Sequence, residues 1–256
     1  MFPALFRILG LLILVYLLVG VGVFFVQRSL LYHPTHRAVE SIMEPWVEDG
    51  IYVGYHREVP QPRGVWLILH GNGGQAAHRD YLLEQLDPTT SVYVVEYPGY
   101  GDRPGTTTEA TINQAAREAY QQVRIRHPHL PIGVLGESIG SGPASLLAQE
   151  SPSPAKIVLL VPFDELYRVA ASRFPWLPVK WLMRDQWDNT SALRDYTGPI
   201  EIYATRDDEI IPFERAQTLA KALPQARLIE IPGGHNSWIY DGKFELPTRP
   251  RLAAPE

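Results

Sequence analysis

The chain has 256 residues, a formal net charge of −5 and no cysteine. Without cysteine it can form neither a disulfide nor a thiolate metal site, and it carries no cysteine nucleophile. The acidic balance, together with the lack of any lysine–arginine run, argues against a nucleic-acid partner. The length suits one domain with a full core rather than two domains.

The first predicted element is an apolar helix near the N-terminus. Residues 8–27 carry no charge and are mostly Leu, Val, Ile, Gly and Phe. Twenty such residues form a helix roughly 30 Å long, which matches the hydrocarbon core of a bilayer. A cleaved signal peptide would have a shorter apolar core and a small-x-small cleavage site, which this segment lacks. We therefore expect residues 1–37 to form a membrane anchor that spans the bilayer at about residues 8–27.

The orientation of this anchor depends on the positive charges that flank it. Arg7 lies on one side of the apolar segment, and Arg28 and Arg37 lie on the other. Under the positive-inside rule these charges nearly balance, and carboxylates contribute little to that rule. The orientation therefore stays open, with the extracytoplasmic side preferred for the following domain.

Apolar runs alternate with helical segments after the anchor. Residues 65–69 and 91–97 are largely apolar runs that end in glycine-containing loops, as buried parallel strands do. A strand or hairpin is predicted at 51–59, further strands at 131–135, 155–161, 199–204 and 226–231, and helices at 108–126 and 213–223. This alternation predicts an α/β fold with a mostly parallel central sheet and helices on both of its faces.

The predicted domain covers residues 38–242. In sheets of this kind, reactive groups collect in the loops at the carboxyl ends of the strands. The proline-rich segment 243–256 is predicted to be a disordered tail.

The segment Gly136-Glu137-Ser138-Ile139-Gly140 is the most informative motif in the chain. It stands between a predicted strand and a helix of small residues, and in that context G-x-S-x-G is typical of a nucleophile elbow. The turn is so sharp that its serine adopts a strained backbone, and the flanking glycines let strand and helix approach each other. We expect Ser138 to be a nucleophile at the top of the sheet.

A serine hydroxyl needs a base to take its proton, and the base is usually a histidine oriented by a carboxylate. In folds with this elbow, the chain order is serine, then aspartate or glutamate, then histidine. Asp208 and His235 follow the last two predicted strands in that order. Asp207 is the alternative acid, with Asp164 as a more distant one.

Backbone N–H groups should stabilise the oxyanion that forms during acyl transfer. One donor is expected at Ile139, the residue after the nucleophile, and the other at Asn72 in the loop His70-Gly71-Asn72-Gly73-Gly74. His70 itself is expected to be structural. The loop matches neither nucleotide-binding glycine motif, and no cofactor or metal is expected.

With these residues in place, the chain resembles the α/β-hydrolase superfamily from about residue 50 to residue 240. More closely, it resembles the membrane-anchored serine hydrolases related to the yeast bud-emergence hydrolases. The supporting segments are Leu30-Leu31-Tyr32-His33-Pro34, His70–Gly74, Tyr97-Pro98-Gly99-Tyr100-Gly101, the elbow, Asp208-Glu209-Ile210-Ile211-Pro212 and Gly234-His235. The resemblance implies an α/β-hydrolase fold, and residues 174–189 are too few for a large cap domain.

The leading hypothesis is a membrane-anchored serine hydrolase that cleaves carboxylic esters or thioesters through an acyl-enzyme. Tethering at a bilayer suggests acyl lipids or acylated proteins as substrates, beside small-molecule esters. The alternatives are a peptidase that cleaves amides with the same triad and a membrane-tethered binding protein without catalysis. The sequence leaves the oligomeric state open.

Overall fold

The computed structural model describes residues 2–238, and within them eight strands form one sheet. The strands are β1 (Glu44–Glu48), β2 (Ile51–Arg57), β3 (Gly64–Leu69), β4 (Thr90–Val95), β5 (Ile132–Glu137), β6 (Lys156–Leu160), β7 (Ile200–Thr205) and β8 (Ala226–Ile231). Their order is β1-β2-β4-β3-β5-β6-β7-β8. The pairs β1–β2 and β2–β4 are antiparallel and all others are parallel. The prediction of a mostly parallel sheet is therefore confirmed.

Helices cover both faces of this sheet. The helices of the domain are α2 (Tyr81–Gln85), α3 (Glu109–Arg126), α4 (Ser141–Leu146), α5 (Leu166–Arg173), α6 (Val179–Leu182), α7 (Asn189–Leu193) and α8 (Phe213–Ala222). Helix α1 (Phe2–Leu31) precedes the domain. The longest helix of the domain, α3, begins after Thr108, whose hydroxyl accepts a hydrogen bond from the Thr111 N–H at 3.1 Å. Such an N-cap satisfies a donor that the first helical turn leaves free.

The core lies on both sides of the central strands. Successive residues of a strand point to opposite faces. Leu67 and Leu69 of β3 accordingly belong to one buried cluster, and Trp66 and Ile68 belong to the other. Every residue of β3 and β4 is buried. This explains why these strands read as continuous apolar runs rather than alternating ones.

Helix α1 extends away from this core. Within the described part of the chain it is the one helix long and apolar enough to cross a membrane; its candidate span is Ala4–Leu31, and the most apolar 18 residues of that span have a mean hydropathy of 2.9. Its side chains are mostly exposed. It contacts α6, where Gln27 donates a hydrogen bond to the Leu182 carbonyl at 3.0 Å.

Two sequence predictions differ from the structure or fall outside it. Strand β1 was not predicted, because Glu44–Glu48 is short and charged and buries a single side chain, that of Trp46. The segment 243–256, predicted to be a tail, lies outside the described residues. Between β6 and β7 only α5, α6 and α7 intervene, so there is no large cap domain in the described chain.

Candidate active site

Ser138 lies on a sharp turn between β5 and α4. Its φ is +52°, in the left-handed region that a side chain rarely adopts. Such a conformation costs about 1–3 kcal/mol and persists only where the surrounding structure enforces it. A Cβ added at Gly136 would lie 2.6 Å from the Cβ of Ala144, and one added at Gly140 would collide with the Leu69 carbonyl. Both glycines are therefore required by the close approach of the backbone.

The loops after β5, β7 and β8 bring three polar side chains together. Ser138 Oγ lies 2.9 Å from His235 Nε2, and His235 Nδ1 lies 2.7 Å from Asp208 Oδ2. Because a carboxylate accepts, the Nδ1–H of His235 donates to Asp208, which leaves Nε2 to accept from the serine hydroxyl. The side chains of His235 and Asp208 are 5% and 3% exposed, so water competes little for these hydrogen bonds.

Asp208 is held in place by its own loop. Its second oxygen, Oδ1, accepts from the N–H groups of Ile210 at 2.9 Å and Ile211 at 2.7 Å. Asp207 is exposed. Asp164 is buried and pairs with Arg215 at 3.3 Å. Of the three candidate carboxylates, Asp208 is the one that contacts the imidazole.

The neighbouring Glu209 holds the histidine loop, a role that the sequence did not reveal. Its Oε2 accepts from the backbone N–H of His235 at 3.0 Å. This hydrogen bond lowers the pKa of the Glu209 carboxyl, so it is ionised at neutral pH. The acidic pair Asp208-Glu209 therefore contacts His235 at both its ring and its backbone.

The loop after β3 contributes Asn72, whose side chain ties three segments together. Its Oδ1 accepts from the His33 N–H at 2.9 Å and from the Tyr100 hydroxyl at 2.7 Å. Its Nδ2 donates to the Leu31 carbonyl at 2.5 Å. The end of α1 is thereby fixed to this loop. Asn72 and Ile139 both line the cavity that contains Ser138 and His235.

An ion pair between Arg79 and Glu137 stabilises the same loop. Arg79 Nε lies 2.7 Å from Glu137 Oε2, and that carboxylate also accepts from the Gly71 N–H at 3.2 Å. Burial alone would lower the pKa of Arg79, but the Glu137 charge raises it instead. The guanidinium is therefore permanently charged. No local sequence signal connects these two positions, which are far apart along the chain.

His70 occupies the structural position that was expected. It is fully buried, and its Nε2 lies 3.1 Å from Glu96 Oε1. Its Nδ1 lies 2.8 Å from the Gly71 carbonyl. The ring therefore braces the start of the loop rather than facing the cavity.

The cavity beside Ser138 has a volume of about 370 Å³ and a largely apolar wall. The wall is built by residues from several distant segments, among them Leu30, Leu31, Phe163, Leu166, Val169 and Met183. These residues were missed from the sequence because each reads as an ordinary core or helix position. An apolar wall next to a serine hydroxyl favours binding of an apolar acyl group over binding of a charged substrate group.

Relatives of the chain were found by sequence. The family model Hydrolase_4, described as serine aminopeptidase, S33, matches residues 60–186. The uncharacterized protein Rv2307c of Mycobacterium tuberculosis is 31% identical over 240 residues, which cover 86% of this chain and 84% of that protein. Lysophosphatidylserine lipase ABHD12 of Macaca fascicularis is 25% identical over 235 residues, covering 81% of this chain. The match spans only 57% of the length of that lipase.

Solved structures give the same fold. Esterase Pf2001 of Pyrococcus furiosus superposes with a TM-score of 0.62 at 16% identity, covering 82% of this chain and 94% of the esterase. Est1E of Butyrivibrio proteoclasticus superposes with a TM-score of 0.61 at 18% identity, covering 78% and 91%. At these identities the likeness concerns the fold alone. Fold and sequence together show that the chain belongs to the α/β-hydrolase superfamily, in the same family as the Mycobacterium tuberculosis protein Rv2307c.

Proposed function

We propose that the protein is a membrane-anchored serine hydrolase that cleaves carboxylic esters or thioesters through an acyl-enzyme. The observation that carries this proposal is the hydrogen-bonded series Ser138–His235–Asp208, with distances of 2.9 Å and 2.7 Å. The three residues have the geometry that general-base activation of a serine requires. The apolar wall of the adjoining cavity supports an acyl substrate.

In the first half of the reaction, Ser138 Oγ attacks the carbonyl carbon of the ester while His235 Nε2 takes the hydroxyl proton. The imidazolium that forms is stabilised by the Asp208 carboxylate, which stays ionised. The oxyanion accepts hydrogen bonds from the backbone N–H groups of Ile139 and Asn72. The tetrahedral intermediate then collapses, and His235 returns the proton to the leaving alkoxide or thiolate.

In the second half, a water molecule takes the place of the leaving group. His235 removes a proton from it while the water oxygen attacks the acyl-enzyme carbonyl carbon. As the second intermediate collapses, His235 gives that proton to Ser138 Oγ, and the carboxylic acid is released. Each oxyanion donor is expected to contribute about 2.7–4 kcal/mol of transition-state stabilisation. The buried Arg79–Glu137 pair positions the Asn72 loop for this purpose.

The membrane anchor of the proposal is α1, whose length suits a single span and whose most apolar 18 residues have a mean hydropathy of 2.9. The lipase ABHD12 among the relatives acts, by its name, on a lysophospholipid. This supports lipid esters as substrates here too. The closer kinship with the bud-emergence hydrolases is part of the same proposal and rests on the motifs quoted above.

Peptidase activity with the same triad is the second candidate, because the matching family model is described as a serine aminopeptidase. An aminopeptidase binds the free α-amine of its substrate, for which a free carboxylate would be expected at the site. Glu137 lines the cavity but is paired with Arg79. This pairing favours the ester substrate.

The test is hydrolysis of matched substrates by the detergent-solubilised full chain. We expect the wild type to cleave p-nitrophenyl butyrate and its thioester analogue faster than an aminoacyl p-nitroanilide. Ser138→Ala should reduce ester cleavage to the background rate while the circular dichroism spectrum stays unchanged. An active Ser138→Ala protein would contradict the mechanism, and a well-folded but inert wild type would favour the binding-protein alternative.

A further inference from the structure

The cavity at Ser138 continues into an apolar groove between α1 and the segment 170–183. We call this the α1 groove; it is lined by Val23, Leu30 and Leu31 on one side and by Ala170, Leu177 and Met183 on the other. Leu30, Leu31, Ala170 and Met183 also line the cavity at Ser138. The two volumes, about 370 Å³ and about 130 Å³, are therefore adjacent.

The groove offers no unsatisfied polar group to a ligand. Gln27 is the one polar residue that lines it. Its Nε2 donates to the Leu182 carbonyl at 3.0 Å, and its Oε1 accepts from the Arg184 N–H at 2.7 Å. Both ends of the amide are therefore occupied by α6 and the residues after it. A hydrocarbon chain is the ligand that such a wall favours.

Beyond the groove, a third apolar volume of about 450 Å³ follows α1 from Phe25 back to Tyr16. It shares Leu177 and Leu182 with the α1 groove. The path from Leu31 to Tyr16 covers about 22 Å along the helix axis, more than half the thickness of the hydrocarbon core of a bilayer. If α1 spans the membrane, this apolar volume therefore lies within the hydrocarbon core of the bilayer.

The segment facing α1 carries exposed aromatic side chains. Trp176 and Trp181 are 54% and 83% exposed, and Phe174 is also exposed. Large exposed apolar side chains of this kind mark a surface that contacts apolar surroundings. The Tyr16 hydroxyl donates to the Trp176 carbonyl at 2.9 Å, so Trp176 lies beside the middle of α1.

An ion pair fixes the width of the groove. Arg28 donates to both carboxylate oxygens of Asp185, at 2.8 Å and 3.0 Å. The Asp185 side chain is 5% exposed. A bidentate pair of this kind sets the orientation as well as the distance of its partners. It holds the end of α1 against the residues that follow α6.

The opposite side of the site is polar. The cavity at Ser138 shares Asn72, Gly73, Glu137 and Asn236 with a volume of about 550 Å³. Arg37, His78 and Asp80 are among the residues that line this second volume. A substrate with one apolar chain and one polar head therefore has a matching wall on each side of Ser138.

We propose that the α1 groove binds the acyl chain of a long-chain amphiphilic ester that enters from the bilayer, with the carbonyl carbon at Ser138 and the polar head toward Arg37. This inference rests on the proposed ester hydrolysis and names its substrate class. The anchor helix is then part of the substrate-binding site and not only a tether. The groove then determines which acyl chain lengths the enzyme prefers.

The experiment compares acyl chain lengths in a variant that blocks the groove at its junction with the cavity. Acetyl, butyryl, dodecanoyl and hexadecanoyl monoesters of glycerol are presented in phosphatidylcholine vesicles that contain the full chain. Because Ala170 also lines the cavity at Ser138, the quantity compared is the ratio of kcat/KM for the hexadecanoyl ester to kcat/KM for the acetyl ester. Ala170→Phe should lower this ratio by about tenfold or more. Each methylene kept out of apolar surroundings is expected to lower kcat/KM by about fourfold.

The control is Ala171→Phe, the same substitution one residue along α5 at a half-buried position, which should leave all four rates unchanged. A second pair is Val23→Trp in the groove and Val26→Trp on the exposed side of α1. Val23 does not line the cavity at Ser138, so this pair gives the result if Ala170→Phe does not fold or loses acetyl hydrolysis. If groove and control variants have the same dependence on acyl chain length while acetyl hydrolysis is intact, acyl-chain binding in the α1 groove is refuted and the proposed ester hydrolysis still stands. Absent acetyl hydrolysis by the wild type would instead overturn the proposed function.

Discussion

Replacing Asp208 by Asn tests how the histidine is oriented. The change is small: Asn keeps the shape of the side chain, and its carbonyl can still accept from the N–H groups of Ile210 and Ile211. The amide nitrogen, however, would face His235 Nδ1, where Asp208 Oδ2 now accepts at 2.7 Å. The imidazole must then turn or adopt the other tautomer, and its Nε2 can no longer take the serine proton.

We expect kcat to fall by about 10⁴-fold for Asp208→Asn, which corresponds to about 5 kcal/mol of transition-state stabilisation. KM should change little, because Asp208 does not line the cavity. The matched control is Asp207→Asn, an exposed neighbour that should retain wild-type kcat. The assay is steady-state hydrolysis of p-nitrophenyl butyrate, with thermal unfolding to verify the fold. A loss below tenfold in Asp208→Asn, or an equal loss in Asp207→Asn, would refute this reasoning.

Three further substitutions test the framework of the site. Gly136→Ala places a methyl group against the next helix, so we expect a loss of about 1–3 kcal/mol in urea unfolding; an unchanged midpoint would show that the elbow can relax. Arg79→Ala leaves Glu137 without its buried partner and should lower the free energy of unfolding by about 3–5 kcal/mol, whereas a loss below 1 kcal/mol would mean that water replaces the guanidinium. Burial raises the pKa of Glu109 despite the hydrogen bond from the Gln186 N–H. A raised folded-state pKa makes the ionised carboxylate destabilising above its unfolded pKa. Glu109→Gln should therefore unfold at a higher temperature than wild type at neutral pH, and this difference in unfolding temperature should shrink as the pH is lowered. A difference that grows toward low pH would contradict the raised pKa of Glu109.

The parts of the fold and site that could be predicted from the sequence are those with a local signature. The glycine spacing around Ser138 encodes a turn, and the positive φ of that serine follows from it. Parallel strands place their carboxyl ends at one edge, so loops that carry Asp208 and His235 were expected to converge there. The choice of Asp208 over Asp207 also follows from its place at the head of the loop.

The rest depends on contacts between distant segments. Arg79 and Glu137 meet only because the loop after β3 folds over the end of β5. Arg28 and Asp185 are separated by 157 positions in the chain. No periodic pattern in the sequence predicts the contact between α1 and α6. Glu209 could be predicted only as an acidic neighbour of Asp208, since its hydrogen bond goes to a backbone N–H.

The most direct test of the central claim is labelling by a fluorophosphonate, which reacts with activated serines. The full chain in detergent is treated with the probe, digested, and analysed by mass spectrometry for the modified peptide. We expect one adduct, on Ser138, that is absent from Ser138→Ala and strongly reduced in His235→Ala. An adduct on another serine, or labelling of Ser138 that persists without His235, would contradict that claim.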